Sequence, residues 1–334
     1  MRKTILAAIV ASSLAACSQS TANLHLQTAP ESHTIGAGGR TATFEYLGAG
    51  GWLIRRGNDA VLTAPFFTNS SFLRLPIRTS SNAALVERHM RRLGDLSGVR
   101  VVVAGHAHYD HIMDLPEVLR WVPASAPVVG GRTVCNTLAS ALAGHACESM
   151  LTRAGTNNAA AAPFVASSGV RVLPYFSEHA SHAFHIKALN GHYDVPLAHV
   201  PAKPNAWREG ETLAYLIDFL DGDGHSELRI WYVDASPNAP AGLPDAATRD
   251  AKHVDVAIFC VGNWNQQENY PKAFLEAMAP SYALLGHWEN FFRGYERPPR
   301  ALRSADVAGF ESVVAAEHVP YTLPDRHQVV TIRY

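Results

Sequence analysis

The sequence predicts an α/β fold in which two mixed β-sheets pack together with helices on the outside. In both halves of the 334-residue chain, short apolar runs typical of strands come first and then alternate with segments of helical spacing. Hydrophobic residues make up 47% and charged residues 17%, which is enough for a large core. No repeat of solenoid period and no linker interrupts 41–334, so this span is predicted as a single domain.

In the first half, short β-type runs precede the first helix. The predicted strands are TATFEYLG (41–48), GWLIRRG (51–57), AVLTAPFF (60–67), VRVVVAG (99–105) and APVVGG (126–131). A helix is predicted over 80–96, where apolar residues recur at helical spacing and Ser80 or Ser81 is a plausible cap. Its arginines, Arg88, Arg91 and Arg92, are interpreted as a solvated helix face rather than a phosphate site. A second helix is predicted over 115–122.

The second half repeats this alternation. Its predicted elements are a strand at 170–176, a hairpin at 212–236 around DGDG, strands at 254–262, 282–288 and 327–334, and a helix at 271–279 that starts with proline. Strand ends therefore recur through the chain, and several of them carry polar residues that could meet at one edge of a sheet.

The N-terminus resembles an export signal peptide. Residues 1–17 combine Arg2 and Lys3, an apolar run and LAAC, which looks like a bacterial lipoprotein cleavage box ending at Cys17. The resemblance implies a lipidated Cys17 that anchors the protein to a membrane facing the periplasm, and Ser18 favours the outer membrane. A plain secretory signal is the alternative. Residues 18–40 are polar and small, and are predicted as a flexible tether.

Three cysteines remain after Cys17. Cys135 and Cys147 flank a predicted short helix, and export to an oxidising compartment would permit a disulfide between them. Sequence does not decide between this disulfide and two free thiols, because the Cα separation is unknown. Cys260 lies in the apolar run VAIFCVG and is predicted to be a buried small hydrophobe.

The charge balance excludes one class of partner. With 28 basic and 29 acidic residues the formal net charge is −1, so no broad positive field exists for a polyanion and no nucleic-acid partner is expected. The 17 histidines are more informative, because histidine is the commonest metal ligand in proteins. Most of them are expected to be scattered surface residues.

One short segment concentrates metal-ligand chemistry. In VVVAGHAHYDH (101–111), His106, His108, Asp110 and His111 follow an apolar strand directly. Imidazole and carboxylate together suit zinc and similar first-row metals. The pattern is much more specific than a lone histidine, and it predicts that one loop supplies ligands to two adjacent metal ions.

Further ligands are expected at other strand ends. His179, Asp234 and His287 each follow a predicted strand, and strand ends on one edge of a sheet sandwich converge. Asp234 would be costly to bury without a partner, and a bridging position between metals removes that cost. His182 is the alternative to His179, which is favoured because SEH follows its strand directly.

These residues, in this order, resemble the metallo-β-lactamase superfamily of binuclear metallohydrolases from about residue 41 onwards. The resemblance implies an αββα four-layer sandwich. It also implies that His106, His108 and His179 hold one metal, that Asp110, His111 and His287 hold the second, and that Asp234 bridges the two. One departure is LTAP, where Ala64 replaces an aspartate frequent in relatives, which puts support around the ligands in doubt.

The implied activity is metal-dependent hydrolysis. Two divalent ions, zinc by preference with manganese, iron or nickel open, would lower the pKa of a bridging water, and the hydroxide would attack a carbonyl or phosphoryl centre. Asp110 is expected to orient this nucleophile, and His182 to line the pocket, where it would contact substrate or donate a proton. Two readings of the nearby aromatic segments 66–77 and 288–295 stay open, an apolar substrate pocket or core packing.

The substrate class rests on likeness alone. LTAPFF, HAHYDH, SEH and GHW are similar to the phospholipase-D-like phosphodiesterases that act on N-acylethanolamine phospholipids, so an ester or phosphodiester of a lipid-like molecule is expected. A lactonase or a β-lactamase-type amide hydrolase is the alternative. A non-catalytic metal-binding lipoprotein is disfavoured, because a decayed site usually loses ligands.

Overall fold

Two eight-stranded mixed sheets form the body of the computed structural model, which describes residues 18–69, 79–182, 187 and 189–334. The amino-terminal sheet contains, in spatial order, β3 (Glu31–Thr34), β18 (Val329–Arg333), β4 (Thr41–Gly48), β5 (Gly51–Arg56), β6 (Asp59–Thr63), β7 (Val99–Val103), β8 (Val128–Gly130) and β9 (Cys147–Ser149). The carboxy-terminal sheet contains β10 (Phe164–Ser167), β11 (Val170–Phe176), β12 (Leu213–Leu220), β13 (Ser226–Tyr232), β14 (Val256–Cys260), β15 (Tyr282–Gly286), β17 (Tyr321–Pro324) and β2 (Leu26–Gln27). A separate pair joins β1 (Ser18–Gln19) to β16 (Ala301–Leu302).

Helices connect the strands and cover the sheets. They are α1 (Ala83–Arg92), α2 (Tyr109–Ile112), α3 (Leu115–Val118), α4 (Arg132–Leu138), α5 (Ala246–Ala251), α6 (Lys272–Met278) and α7 (Val307–Ala316). Single 3₁₀ turns occupy Leu119–Trp121, Ala139–Ala141, Pro204–Ala206, Trp264–Gln266 and Arg303–Ala305. In the described part of the chain, no helix has both the length and the hydrophobicity that crossing a bilayer requires.

The core follows from the alternation along the strands. In β4, Ala42, Phe44 and Tyr46 are buried while the intervening side chains are less so, which is the pattern of a strand with one face on the core. The strand β12 is buried at every position, and its sequence is accordingly almost continuously apolar. The predicted fold class of two packed mixed sheets with helices is confirmed.

The amino-terminal segment differs from the predicted flexible tether. Within 18–40, β2 extends the carboxy-terminal sheet beside β17, and β3 lies parallel to β18 in the amino-terminal sheet. The segment is polar, but strand pairing uses backbone groups, and Leu24, Leu26 and Ile35 supply enough apolar surface to pack on the core. Residues 1–17, with the predicted signal and Cys17, lie outside the described residues.

Two local predictions are refined by the structure. Helix α1 is capped by Asn82, whose side chain accepts a hydrogen bond from the Leu85 amide, and not by Ser80 or Ser81. Cys135 and Cys147 form a disulfide with a Cα–Cα separation of 5.5 Å, and Cys260 is a buried free thiol as predicted. The disulfide links α4 to β9 across a sequence separation of 12 residues.

Candidate metal centre

The candidate ligands come from strand ends of both sheets, as the sequence predicts. His106 and His108 follow β7 of the amino-terminal sheet. His179, Asp234 and His287 follow β11, β13 and β15 of the carboxy-terminal sheet. A single helical turn, α2, carries the last two predicted ligands, Asp110 and His111. All of these side chains meet at one edge of the sandwich.

The first group consists of His106, His108 and His179, each of which offers a ligand atom within 4.8 Å of the others. His106 Nε2 lies 3.1 Å from His108 Nδ1. His179 donates from Nδ1 to the carbonyl of Ala180 at 2.6 Å, which leaves its Nε2 with a lone pair. Backbone bonding of one ring nitrogen is the usual way in which a protein fixes the tautomer of a ligating histidine.

The second group consists of Asp110, His111 and His287, again with ligand atoms within 4.8 Å of one another. Asp110 Oδ2 is 3.4 Å from His287 Nε2 and 3.7 Å from His111 Nε2. All three residues are buried. This group gives two imidazoles and one carboxylate, a set that suits a divalent first-row metal.

Asp234 lies between the two groups. Its Oδ1 is 2.9 Å from His106 Nδ1, and its Oδ2 is 3.3 Å from His111 Nδ1. The amide of Gly105 donates to Oδ2 at 2.8 Å. A Cβ on Gly105 would stand 2.0 Å from Asp234 Oδ1, so glycine is required for the carboxylate to occupy this place. The position agrees with the bridging role that the family resemblance implies.

Burial and charge shift the pKa values of the cluster strongly. Burial, and then the neighbouring imidazoles, lower the pKa of His108 and of His179 well below the ordinary value. Burial alone would raise the pKa of Asp234, but His111 and His106 outweigh it and hold that pKa well below its usual range. For His111, burial is outweighed by Asp234 and Asp110, so its pKa is raised. Such opposed shifts within one cleft are typical of functional sites.

The residues fit a pair of metal ions. His108 Nε2 and His287 Nδ1 are buried and have no hydrogen-bond partner among the described residues, although buried polar atoms are normally satisfied. Imidazoles packed against carboxylates, with no thiolate in the groups, form the donor set expected for zinc or a similar ion.

A buried hydrogen-bond chain holds His287 in place. His287 has a left-handed backbone, with φ of +55°, and its amide donates to the hydroxyl of Tyr46 at 2.8 Å. That hydroxyl in turn donates to the carboxylate of Glu289, whose other oxygen accepts from the Ala49 amide at 2.7 Å. Burial first, and then the charge of Glu289, raise the pKa of Tyr46 well above its ordinary value, so it remains a donor.

The 48–51 loop closes the other side of the second group. The Gly50 carbonyl accepts hydrogen bonds from Thr63 Oγ1 at 2.6 Å and from Tyr232 at 2.8 Å. A Cβ on Gly50 would lie 2.8 Å from His111 Nδ1 and from the Cβ of Asp234, so the backbone approaches these side chains closely. The sequence analysis placed this loop only as the break between the strands at 41–48 and 51–57, and it missed Tyr46 and Glu289. The glycine run and the glutamate two positions after His287 were the available signals.

His182 lies beside the first group rather than within it. Its ring stacks on that of His179 at 5.0 Å and lies 5.4 Å from that of His108, in a partly buried position. Burial lowers its pKa to about 4, so the imidazole is neutral near pH 7. His185 lies outside the described residues.

The aromatic segments divide between core and site. Phe66, Phe67 and Trp288 are almost fully buried in the two cores and do not form a pocket. Phe291 is partly buried and contacts the His287 ring at 5.2 Å, with Phe292 packed against it at 4.5 Å. Positions 70–78 of the first segment lie outside the described residues.

Comparison with solved structures agrees with the architecture. The chain is similar to Igni18, a metallo hydrolase from the hyperthermophilic archaeon Ignicoccus hospitalis, with a TM-score of 0.54 and 15% identity over 88% of this chain and 99% of the other. It is also similar to an isothiocyanate hydrolase from Delia radicum gut bacteria, with a TM-score of 0.50 and 10% identity over 86% and 98% of the two chains. A metallo-β-lactamase fold protein from Bacillus subtilis aligns with a TM-score of 0.47, 11% identity and coverages of 86% and 98%.

At identities this low the likeness concerns the fold alone. The chain is an α/β sandwich of two mixed sheets with a histidine- and aspartate-rich cleft at one edge, and it shares this fold with Igni18 and the isothiocyanate hydrolase. No protein-family model and no curated protein sequence matches it.

Proposed function

We propose that the protein is a binuclear metal-dependent hydrolase. The observation that carries this proposal is the convergence of two three-residue ligand groups on either side of Asp234. His106, His108 and His179 would hold one divalent ion, and Asp110, His111 and His287 the second. Bound there, two such ions supply Lewis acidity and a hydroxide nucleophile near neutral pH.

The chain's own groups would order this chemistry. The Asp110 carboxylate faces both His111 and His287, so besides ligating it can orient a nucleophile on the side of the second group. The Gly105 amide and the two flanking histidines hold Asp234 between the groups. His182 flanks the first group from a partly buried position, from which it would contact the substrate.

An ester or phosphodiester with an apolar part is the substrate class that we favour. The support is the Phe291–Phe292 pair beside His287, because partly buried aromatic rings at the edge of a polar site can hold an acyl or aryl group. A phospholipid-like molecule would satisfy this, in line with the resemblance of the sequence motifs. The proposed lipid anchor at Cys17 would keep the enzyme on a bacterial membrane that faces the periplasm.

The test is hydrolysis of a chromogenic nitrophenyl phosphodiester by the purified protein supplied with zinc or manganese. Asp110→Asn should lower kcat/KM by about a hundredfold or more, because a positioned catalytic group contributes on that scale. Asp250→Asn, which changes an exposed carboxylate on α5, is the matched control and should leave the rate unchanged. Metal content is measured on each variant.

Each outcome has a distinct meaning. Turnover that is lost only in the Asp110 variant supports a phosphodiesterase and directs the search to phospholipids. Two bound metals without phosphodiester turnover would refute that substrate class, and nitrophenyl esters and lactones would then be tested for an esterase or lactonase. Protein that binds no metal above background would refute the binuclear site itself.

A further inference from the structure

Apart from the cleft of the candidate metal centre, a cavity lies on the outer side of α1. None of the candidate metal ligands is among the described residues that line this cavity. Its volume is about 490 Å³, which is the size of a small-ligand pocket. The last turns of α1 form one wall, and segments 295–299 and 325–327 form the others. The residues come from three distant parts of the chain, so sequence spacing could not reveal the cavity.

Arginines dominate the charge of this cavity. Its lining includes Arg88, Arg92, Arg297 and Arg326 against only two carboxylates, those of Glu296 and Asp325. Arg88 forms an ion pair with Glu296. In the parts of the chain that the structure describes, Arg92 and Arg297 have no carboxylate within ion-pair distance. The cavity therefore carries a net positive charge, because its arginines outnumber its carboxylates.

The buried arginine is loosely paired. Only 8% of the Arg326 side chain is exposed, and its Nε lies 3.9 Å from Asp325 Oδ1. Its guanidinium lies 4.5 Å from the centre of the Tyr295 ring and donates to the Arg297 carbonyl at 2.6 Å. A guanidinium buried to this extent normally has a well-placed anion beside it, because burying charge without one is costly.

A histidine relay ends at the same cavity. The Glu45 carboxylate can only accept, so His327 Nδ1, 3.0 Å away, donates to it. With His327 neutral, its Nε2 accepts from His89 Nδ1 at 2.9 Å. This order leaves a lone pair on His89 Nε2, which is buried and has no hydrogen-bond partner among the described residues. His89 lines the cavity together with His327.

The electrostatic environment keeps His89 neutral. Burial is the largest of the causes that together lower its pKa to about 4; Arg92 and Arg326 act in the same direction, and Glu296 opposes them. The ring is fixed by stacking on Phe67 at 5.1 Å. Near pH 7 the cavity thus combines cationic donors with one neutral, unsatisfied acceptor.

We propose that this cavity binds inorganic hydrogen phosphate, which keeps one P–OH proton near pH 7. The arginines Arg92, Arg297 and Arg326 would hold the anionic oxygens, and His89 Nε2 would accept the remaining P–OH proton. Sulfate has the same shape but no proton at neutral pH, so it would leave the His89 acceptor unsatisfied. The site should therefore prefer phosphate to sulfate. This proposal rests on residues apart from the metal centre and stands whether or not the hydrolase assignment holds.

The test is titration of the purified protein with inorganic phosphate, followed by calorimetry and by the imidazole C–H signals of His89 in NMR. Arg92→Gln and Arg297→Gln change exposed side chains, so the fold should tolerate them. Each should weaken phosphate binding by about tenfold, the usual effect of losing a charge-assisted hydrogen bond. Arg91→Gln is the matched control, because exposed Arg91 lies on the same helix but pairs with Glu87.

Three results would overturn the proposal. Equal phosphate affinities in the Arg91 and Arg92 variants would show that the cavity is not the binding site. Binding that disappears when a chelator removes metal would assign the phosphate to the metal centre instead. Absence of binding at millimolar phosphate would remove the site altogether.

The role of His89 has its own measurement. His89→Phe keeps an aromatic ring against Phe67 but removes the acceptor, so the preference for phosphate over sulfate should vanish. A folded His89→Phe protein that still prefers phosphate would refute the proposed acceptor. Glycerol phosphate is mostly a dianion without a P–OH proton near pH 7, so it should bind more weakly than inorganic phosphate, and tighter binding would refute the proposed acceptor.

Discussion

A Tyr46→Phe substitution removes one hydroxyl and breaks the hydrogen-bond chain that joins β4 to the candidate ligand His287. Two buried groups then lose their partner, the His287 amide and one oxygen of Glu289. Each such loss costs about 1–3 kcal/mol of unfolding free energy. Because the left-handed backbone of His287 depends on this contact, the affinity for the second metal should fall by about 10- to 100-fold, as is usual when the partner of a ligand is removed.

The assay is metal content after dialysis against chelator buffers of defined free zinc, with urea unfolding run in parallel. Tyr282→Phe is the control, because it deletes an equally buried hydroxyl, bonded to Thr322 at 2.7 Å, far from the cleft. His287→Ala should lose the second metal outright. If the Tyr46 and Tyr282 variants both keep two metals with unchanged affinity while His287→Ala does not, the positioning argument is wrong although the metal site stands.

Three further changes follow from the same structure. Gly105→Ala would place a methyl group 2.0 Å from Asp234 Oδ1, and the displaced carboxylate should lower kcat/KM by about a hundredfold, with an unchanged circular dichroism spectrum as the check on folding. Asp218→Asn leaves its buried arginine unpaired and should cost about 3–5 kcal/mol in urea unfolding. Burial alone would raise the pKa of Asp218, but its arginine partners outweigh burial and lower it. The ion pair therefore stabilises the fold fully above the ordinary carboxyl pKa, and this contribution is lost as the pH falls through the lowered pKa of Asp218. Wild type should therefore lose stability more steeply than the variant below about pH 4. Replacing Cys135 and Cys147 together by alanine should lower stability by about 2–4 kcal/mol, and unchanged unfolding midpoints would contradict the disulfide.

The parts of the fold that sequence predicts well are those that local patterns determine. The strand at 41–48 is found with the predicted bounds, because alternation of apolar residues reflects a face on the core. The candidate ligands were predicted from their place at strand ends, and the structure brings all of them into one cleft. The 18–40 segment was missed because its strands are held by backbone pairing, which polar composition hides.

Local sequence patterns could not predict contacts between residues that are far apart in the chain. Tyr46 and Glu289 are 243 positions apart, and neither carries a motif that names the other. The same holds for His89 and His327, which are 238 positions apart, so their hydrogen bond could not be predicted from the sequence. The arginines of α1 were interpreted as a solvated face. That interpretation describes Arg91, but Arg88 and Arg92 lie on a cavity that only tertiary packing creates.

The pairing of β1 with β16 bears on how the enzyme would meet a membrane. Ser18 lies opposite Leu302, and the Leu302 amide bonds the carbonyl of Trp288, the residue after His287. Two strand spacings of about 4.8 Å put Ser18 roughly 10 Å from that backbone. If Cys17 carries the proposed lipid, the anchor would start one residue before this point, on the side of the sandwich that carries His287. A phospholipid could then reach the metals by lateral diffusion, without leaving its leaflet, and the anchor would set the direction of approach as well as the location.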